Sequence, residues 1–194
     1  MSVELKTPLN DEVVRKLHCG DQVLLRGTIF TARDAVHKHL FESKNITQSS
    51  EWNLENAVFY HCGPVMLKDA NGNWQITAAG PTTSNREEPY MATLIEQYHL
   101  RAIIGKGGMG AKTLAACVQF GCVYLHATGG CAQVLASAVK RIRGVQFLER
   151  FGIPEAMWAL EVENFPVTVT MDSYGKSLHC QVQEQSKNEL QKLG

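Results

Sequence analysis

Between residues 22 and 142 the apolar residues of this chain change period again and again, and that alternation constrains its fold more than any other feature. Stretches repeating every second residue give way to stretches repeating every third or fourth, which is the pattern of strands alternating with helices. Gln22 to Phe30 (QVLLRGTIF) reads as a strand, followed by a helix from Ala32 to Phe41 with Ala32, Val36, Leu40 and Phe41 on one side. Ala57 to His61 reads as a strand running into Gly63-Pro64, and Trp74 to Ala78 as another after the turn Asn71-Gly72-Asn73. Pro89 suits the first turn of the next helix, whose apolar face is Leu94, Ile95 and Tyr98. A strand (Arg101 to Ile104), a glycine-rich loop, a helix (Ala111 to Phe120), a strand (Cys122 to Ala127) and a helix (Cys131 to Ile142) follow. In the final third, Ala159 to Val162 and Pro166 to Met171 read as strands, and Leu178 to Val182 as one more. The pattern predicts an α/β fold with a parallel βα core and an additional strand-rich layer.

Composition narrows the function classes. The 194 residues, 44% of them hydrophobic, suit one domain, and a chain of this length buries roughly 70% of its unfolded surface without needing a staple. Nineteen basic side chains balance nineteen acidic ones. A nucleic-acid or acidic-membrane binder would show a basic excess, so neither partner is expected. No apolar run reaches the ~20 residues of a membrane span. The opening MSVELKTPLNDE lacks the apolar stretch of a secretory signal, so a cytoplasmic location is expected. The six cysteines, at 19, 62, 117, 122, 131 and 180, form no C-x-x-C. Cys62, Cys117, Cys122 and Cys180 lie in apolar runs, where a thiol is a small core residue, and no metal site of the chain's own is expected.

Three loops can carry chemistry. In the first, Thr31 to His37, Thr31 and Asp34 have the spacing of a capping box, which places Arg33 in the first helical turn beside free backbone N–H groups. His37 follows four residues later on the same face. The alternative is a surface arginine paired with a nearby glutamate. The second loop, Gly80-Pro81-Thr82-Thr83-Ser84-Asn85-Arg86, offers three hydroxyls and a planar fork for a carboxylate, or is an ordinary polar turn. The third, Ile104-Gly105-Lys106-Gly107-Gly108-Met109-Gly110-Ala111-Lys112-Thr113, approaches a phosphate-binding P-loop. Ala111, however, separates Gly110 from Lys112, and one extra helical residue turns the lysine by about 100°. Val167 to Asp172 imitates the apolar strand that ends in a magnesium-binding Asp. Nucleotide binding is therefore a weak alternative. Arg33, Arg86 and Lys106, each beside backbone donors, suit a small dianion such as a dicarboxylate.

Together these loops resemble the β subunit of class I hydro-lyases, the iron–sulfur fumarate hydratases and L(+)-tartrate dehydratases. The matching stretches are Gly27 to Lys38 (GTIFTARDAVHK), Gly80 to Ser84 with Arg86, and Ile104 to Gly110, in matching order and separation. The resemblance covers nearly the whole chain and implies that residues 1–194 are a single fumarase-type C-terminal catalytic domain, a swivelling β/β/α domain. It implies a larger α subunit carrying a 4Fe-4S cluster, a hetero-oligomer active only when assembled, and water addition to or elimination from a C4-type dicarboxylate. Carried over by motif, Thr82 is the catalytic base, Arg33, Arg86 and Lys106 hold the substrate carboxylates, Lys106 also serving catalysis, and His37 belongs to the active site. The cluster cysteines belong to the α part. One departure stands out: family members commonly have Arg-Met-Asp or Arg-Met-Glu where this chain has Arg86-Glu87-Glu88. Turned inward, Glu87 would weaken dianion binding or favour a substrate with hydroxyl groups; turned outward it would do neither. A non-catalytic dicarboxylate-binding relative is the other reading.

Overall fold

The structure, a computed structural model, describes residues 2–43 and 52–192. Its first strand, β1 (Val3–Lys6), and a short helix, α1 (Asp11–Val14), precede the long strand β2 (Gln22–Thr31) and helix α2 (Asp34–Ser43). Next come β3 (Val58–Tyr60), the antiparallel hairpin β4 (Val65–Lys68) and β5 (Trp74–Ala78), a 3-10 turn over Ser84–Glu87, and α3 (Glu88–Tyr98). Two βα repeats follow: β6 (Ala102–Gly105) with α4 (Ala111–Phe120), and β7 (Val123–His126) with α5 (Ala132–Ser137). The chain finishes with β8 (Val139–Gln146), α6 (Leu148–Phe151), the fifteen-residue β9 (Met157–Met171) and α7 (Leu178–Lys192).

The parallel βα core expected from the sequence is present: β2, β3, β6 and β7 pair side by side in parallel. The strand-rich layer is built around β9, which runs antiparallel to β2, β7 and β8. Because β9 pairs with both β7 and β2, the hydrogen bonding runs from β2 through β3, β6, β7 and β9 back to β2 and closes a ring. Strand alternation then sorts side chains into two cores. Val58, Tyr60, Ile104, Val123, Leu125, Leu160 and Val169 join one cluster, while their neighbours Phe59, Ile103, Tyr124 and Ala159 join another under α2, α3 and α4. Each such fully buried large side chain contributes about 1.5–3 kcal/mol.

Several sequence expectations are corrected. Cys131 to Ile142 is not one helix: α5 stops at Ser137, and Val139 onward crosses back as β8 along the free edge of β9. Val139, Ile142 and Val145 are β-branched and Gly144 is a poor helix former, so a strand with a partner edge wins. Gly144 also sits against the Trp52 ring, which an added Cβ would meet at 3.4 Å. Ala159 to Val162 and Pro166 to Met171 are parts of the single strand β9, which bulges opposite Leu25 and Gly27, where Asn164 takes a positive φ of 53°. Leu178 to Val182 is helical, the start of α7, whose Gln, Glu, Lys and Leu residues favour a helix and none of whose residues is buried. Strands β1, β4 and helices α1, α6 carry too few residues to show a period. No helix among the described residues is long and apolar enough to cross a membrane.

Candidate active site at the strand ends

The parallel strands β2, β3, β6 and β7 end on one side of the ring, the edge where α/β sheets collect ligands because several loops converge there. Arg33 follows β2, His61 follows β3, Lys106 follows β6, and the Thr82 loop arrives from β5. Backbone hydrogen bonds join three of these segments. The Thr82 N–H donates to the His61 carbonyl at 2.7 Å, the Lys106 N–H to the Thr82 carbonyl at 3.3 Å, and the Ser84 N–H to the Lys106 carbonyl at 3.1 Å. Thr82, Arg86 and Lys106 therefore stand on one stitched unit. Gly105 permits it: a Cβ there would lie 1.8 Å from Ser84 Oγ and 2.9 Å from Tyr124 Oη.

Thr82 is half-buried, and its Oγ1 accepts a 3.2 Å hydrogen bond from Arg86 Nη2. The same Arg86 nitrogen lies 2.9 Å from Asp34 Oδ2, with both side chains nearly half exposed (49% and 45%). An ion pair that wet is worth about 0–1 kcal/mol, so an incoming carboxylate can replace it. Arg33 Nε lies 3.2 Å from Glu155 Oε1, as the surface-arginine alternative anticipated, and its guanidinium crosses Gly63, where a Cβ would meet Nη1 at 2.6 Å. Lys106 makes no ion pair among the described residues.

The capping box expected at Thr31 is absent. Thr31 is buried, and its Oγ1 accepts from the Trp158 N–H at 3.0 Å and donates to the Ala156 carbonyl at 3.3 Å. The cap for α2 comes instead from Glu155, whose Oε2 accepts the Ala35 N–H at 3.0 Å. The glycine-rich loop shows the same device. Glu88 accepts from the N–H groups of Gly110, Lys112 and Thr113 at 2.8, 3.1 and 3.2 Å and from Thr113 Oγ1 at 2.6 Å. A phosphate at the start of α4 would have to displace this carboxylate. Asp172, the imitation of a magnesium ligand, is buried and accepts from the backbone of Cys19, Tyr174 and Lys176. Nucleotide binding finds no support in this geometry.

Glu87 turns inward. It is wholly buried, its Oε2 lies 3.6 Å from His37 Nδ1, and burial, reinforced by Asp34, pushes its carboxyl up to about 8. Arg33, Asp34, Arg86 and Glu155 all act on it electrostatically, which places it at the centre of the charged cluster. His37 is also wholly buried. Its Nδ1 donates to the Arg33 carbonyl at 2.9 Å, and burial lowers the imidazole to about 4. Its ring meets that of His61 edge-on with centroids 4.9 Å apart. His61, also held neutral by burial, bonds through Nδ1 to Ser84 Oγ at 2.8 Å, and Ser84 Oγ lies 2.8 Å from Tyr124 Oη.

The six cysteines are free; Cys62, Cys117 and Cys122 are buried, Cys19 and Cys131 partly so, and Cys180, expected in the core, is exposed on α7. Burial pushes the Cys62 thiol up to about 12, an inert core group. Among the described residues no group of three His, Cys, Asp or Glu side chains could hold a metal ion. A groove of about 770 Å³ between β5 and β8, lined by Trp74, Ile76, Val139 and Arg141, includes none of the residues above. The sequence reading missed His61, Tyr124, Glu88 and Glu155. A histidine just before Gly63-Pro64 at a strand end was a usable signal; for Tyr124 and Glu155 there was none.

This is the build of an α/β protein whose strand ends carry two arginines, a lysine and the Thr82 hydroxyl. Sequence comparison takes the assignment further: residues 1–182 match the family described as Fumarase C-terminus, and the chain belongs to that family. A protein of Geobacillus stearothermophilus, provisionally named a class I fumarate hydratase, is 49% identical over 188 residues, 97% of this chain but 35% of its own length. The chain thus spans about a third of that relative. A Methanocaldococcus jannaschii protein, provisionally named an L(+)-tartrate dehydratase subunit beta, is 41% identical over 95% of both chains. The L(+)-tartrate dehydratase subunit beta of Escherichia coli is 34% identical over 90% of this chain and 85% of its own.

Proposed function

We propose that this chain is the β component of a two-part hydro-lyase that adds water to, or removes it from, a C4-type dicarboxylate. In this reading residues 1–194 form one catalytic domain, of the swivelling β/β/α kind, that closes over substrate held against a larger, cytoplasmic α subunit. The observation that carries it is the Thr82 hydroxyl, 3.2 Å from Arg86 Nη2 on a loop sewn to Lys106, in a chain whose relatives are named for such enzymes.

As the alkoxide, Thr82 Oγ1 takes the proton from the carbon adjacent to the one that loses hydroxide and becomes the neutral hydroxyl; in hydration it returns that proton. A threonine hydroxyl is a poor base in water, and the Arg86 guanidinium already bonded to it lowers the cost of negative charge on that oxygen. Arg33, Arg86 and Lys106 hold the two carboxylates. Arg33 and Arg86 each face one carboxylate, Glu155 and Asp34, Lys106 pairs with none among the described residues, and burial favours the protonated form of Glu87, so the cluster keeps room for a dianion. In this reading the buried His37 serves the site through Arg33, whose carbonyl its Nδ1 holds.

The fumarate hydratase naming implies a 4Fe-4S cluster. The thiols of this chain do not fit one: the three buried cysteines are core groups, and no three candidate ligands converge among the described residues. The cluster is therefore assigned to the α subunit. The test is anaerobic recovery of the chain from its native cells, iron measurement on the eluate, and assay with fumarate, malate and both tartrates. A complex with an iron-bearing larger subunit and turnover of one diacid is expected. In it, Thr82→Val should lose turnover by at least about a thousandfold and Arg86→Met should lose several kcal/mol in kcat/KM. Near wild-type turnover by Thr82→Val would remove it as the base. Absence of an iron-bearing partner would favour the stand-alone binding relative.

A further inference from the structure

We propose that Tyr124, Ser84, His61 and His37 form a one-way hydrogen-bond chain that fixes the substrate-holding loops relative to one another, with His61 as its positioning residue; this rests on the roles given above to Thr82, Arg33, Arg86 and Lys106. The four side chains are wholly buried. Ser84 Oγ lies 2.8 Å from His61 Nδ1 on one side and 2.8 Å from Tyr124 Oη on the other. Ser84 Oγ is the one hydrogen-bond partner of Tyr124 Oη among the described residues. At the far end, His37 Nδ1 must carry a hydrogen, because its 2.9 Å partner, the Arg33 carbonyl, only accepts. Neutral His37 therefore presents a lone pair at Nε2. That atom and Nε2 of His61 are both buried without a partner, in rings that adjoin at 4.9 Å.

Counting donors fixes the direction. If His61 Nδ1 donated to Ser84 and Ser84 to Tyr124, the phenol's own hydrogen would have no acceptor among the described residues. Nε2 of His61 would then be a second lone pair beside that of His37. If Tyr124 donates to Ser84 and Ser84 to Nδ1 of His61, each hydroxyl is satisfied and His61 carries its hydrogen on Nε2, the donor that His37 lacks. The edge-on approach of the two rings, 4.9 Å between centroids, is the contact across which that donor serves His37. The chain then runs from Tyr124 through Ser84, His61 and His37 to Arg33. The Ser84 N–H bonds the Lys106 carbonyl, Thr82 and Arg86 each lie two residues from Ser84, and Arg33 is the terminus, so each residue assigned to substrate is joined to it.

The test is long-range ¹⁵N–¹H correlation on imidazole-labelled chain, which distinguishes the two neutral tautomers of each ring. The expected pattern is Nε2–H at His61 and Nδ1–H at His37. Tyr124→Phe keeps the ring and removes one oxygen; it should release the tautomer preference of His61, two groups away, and in the assembled complex lower kcat about tenfold. A merely structural Tyr124 would shift the unfolding midpoint and leave the His61 tautomer unchanged. Nδ1–H at His61 in the unsubstituted chain, or a Tyr124→Phe chain with unchanged tautomer and kcat, overturns the proposal. If the expected tautomers appear but the assembled protein turns over no diacid, the chain of bonds stands and the hydro-lyase reading fails.

Discussion

Replacing Glu88 with alanine should be among the most damaging substitutions near the surface of this protein. The Glu88 carboxylate reaches from the start of α3 to the start of α4 and accepts three N–H bonds and the Thr113 hydroxyl. A helix that loses its cap is destabilised by about 1–2 kcal/mol. Thr113 is wholly buried, so its hydroxyl is orphaned too, at about 1–3 kcal/mol. Water relieves part of this at the exposed Lys112 N–H, which leaves an expected loss of about 3 kcal/mol. For a chain of this length that corresponds to a fall of roughly 6–12 °C in Tm. Glu88→Gln keeps an acceptor and loses the charge, so about 1 kcal/mol is expected. Denaturant unfolding followed by two probes measures both. Sulfate added to Glu88→Ala should recover part of the loss by occupying the vacated helix start, and should do little for the unsubstituted chain. A loss below about 1 kcal/mol, or equal stabilisation of both proteins by sulfate, refutes the reasoning.

The inward carboxyl of Glu87 makes stability depend on pH. Its folded-state value, about 8, is raised above the ordinary carboxylate range, so the fold favours the protonated form and stability is lost as pH rises from about 4.5 through 8. Glu87→Gln should therefore be more stable than the parent at about pH 8.5, with the gap closing toward pH 5; a pH-independent gap in denaturant midpoints would sink the assignment. His37 works in the opposite direction: its depressed value, about 4, means its contribution is present above about 6.5 and fades as pH falls toward 4. In the assembled enzyme, ionisation of Glu87 would offset a cation of the cluster, so KM should rise above about pH 8 and Glu87→Gln should remove the rise. Gly108→Ala, at φ +74° and with a Cβ 2.4 Å from the His179 ring, should lower Tm by several degrees through strain at the glycine-rich loop.

Much of this was legible in the sequence where periodicity had length to show itself. β2, α3, α4, β5 and β7 fall within a residue or two of where the apolar pattern places them. The three loops were correctly located, since strand ends rich in Gly, Thr and Arg announce themselves. What was lost depends on partners distant in the chain. β8 reads as helix until β9 offers it an edge. Thr31 and Asp34 have capping-box spacing, yet the carboxylate that caps α2 is Glu155, more than a hundred residues away. The Ala111 insertion weakens the P-loop likeness locally, but the stronger obstacle is Glu88, which no local motif reveals. Glu87 could not be oriented without knowing that His37 and Arg33 surround it.

The ring closed by β9 also sets an order of events for a chain made from its N-terminus. Along its whole length β2 has β9 on one side, and β7 takes its second partner from the same strand. Until residues 157–171 emerge, both strands carry an open edge with unpaired N–H and C=O groups and a bare apolar face. The helical layer can settle early on local βα contacts, but the barrel interior must wait for pairing across most of the chain, which is slow to form. Newly made protein should therefore be most prone to self-association in the interval just before β9 is released, and a chain cut short of Met157 should aggregate rather than fold to a smaller domain.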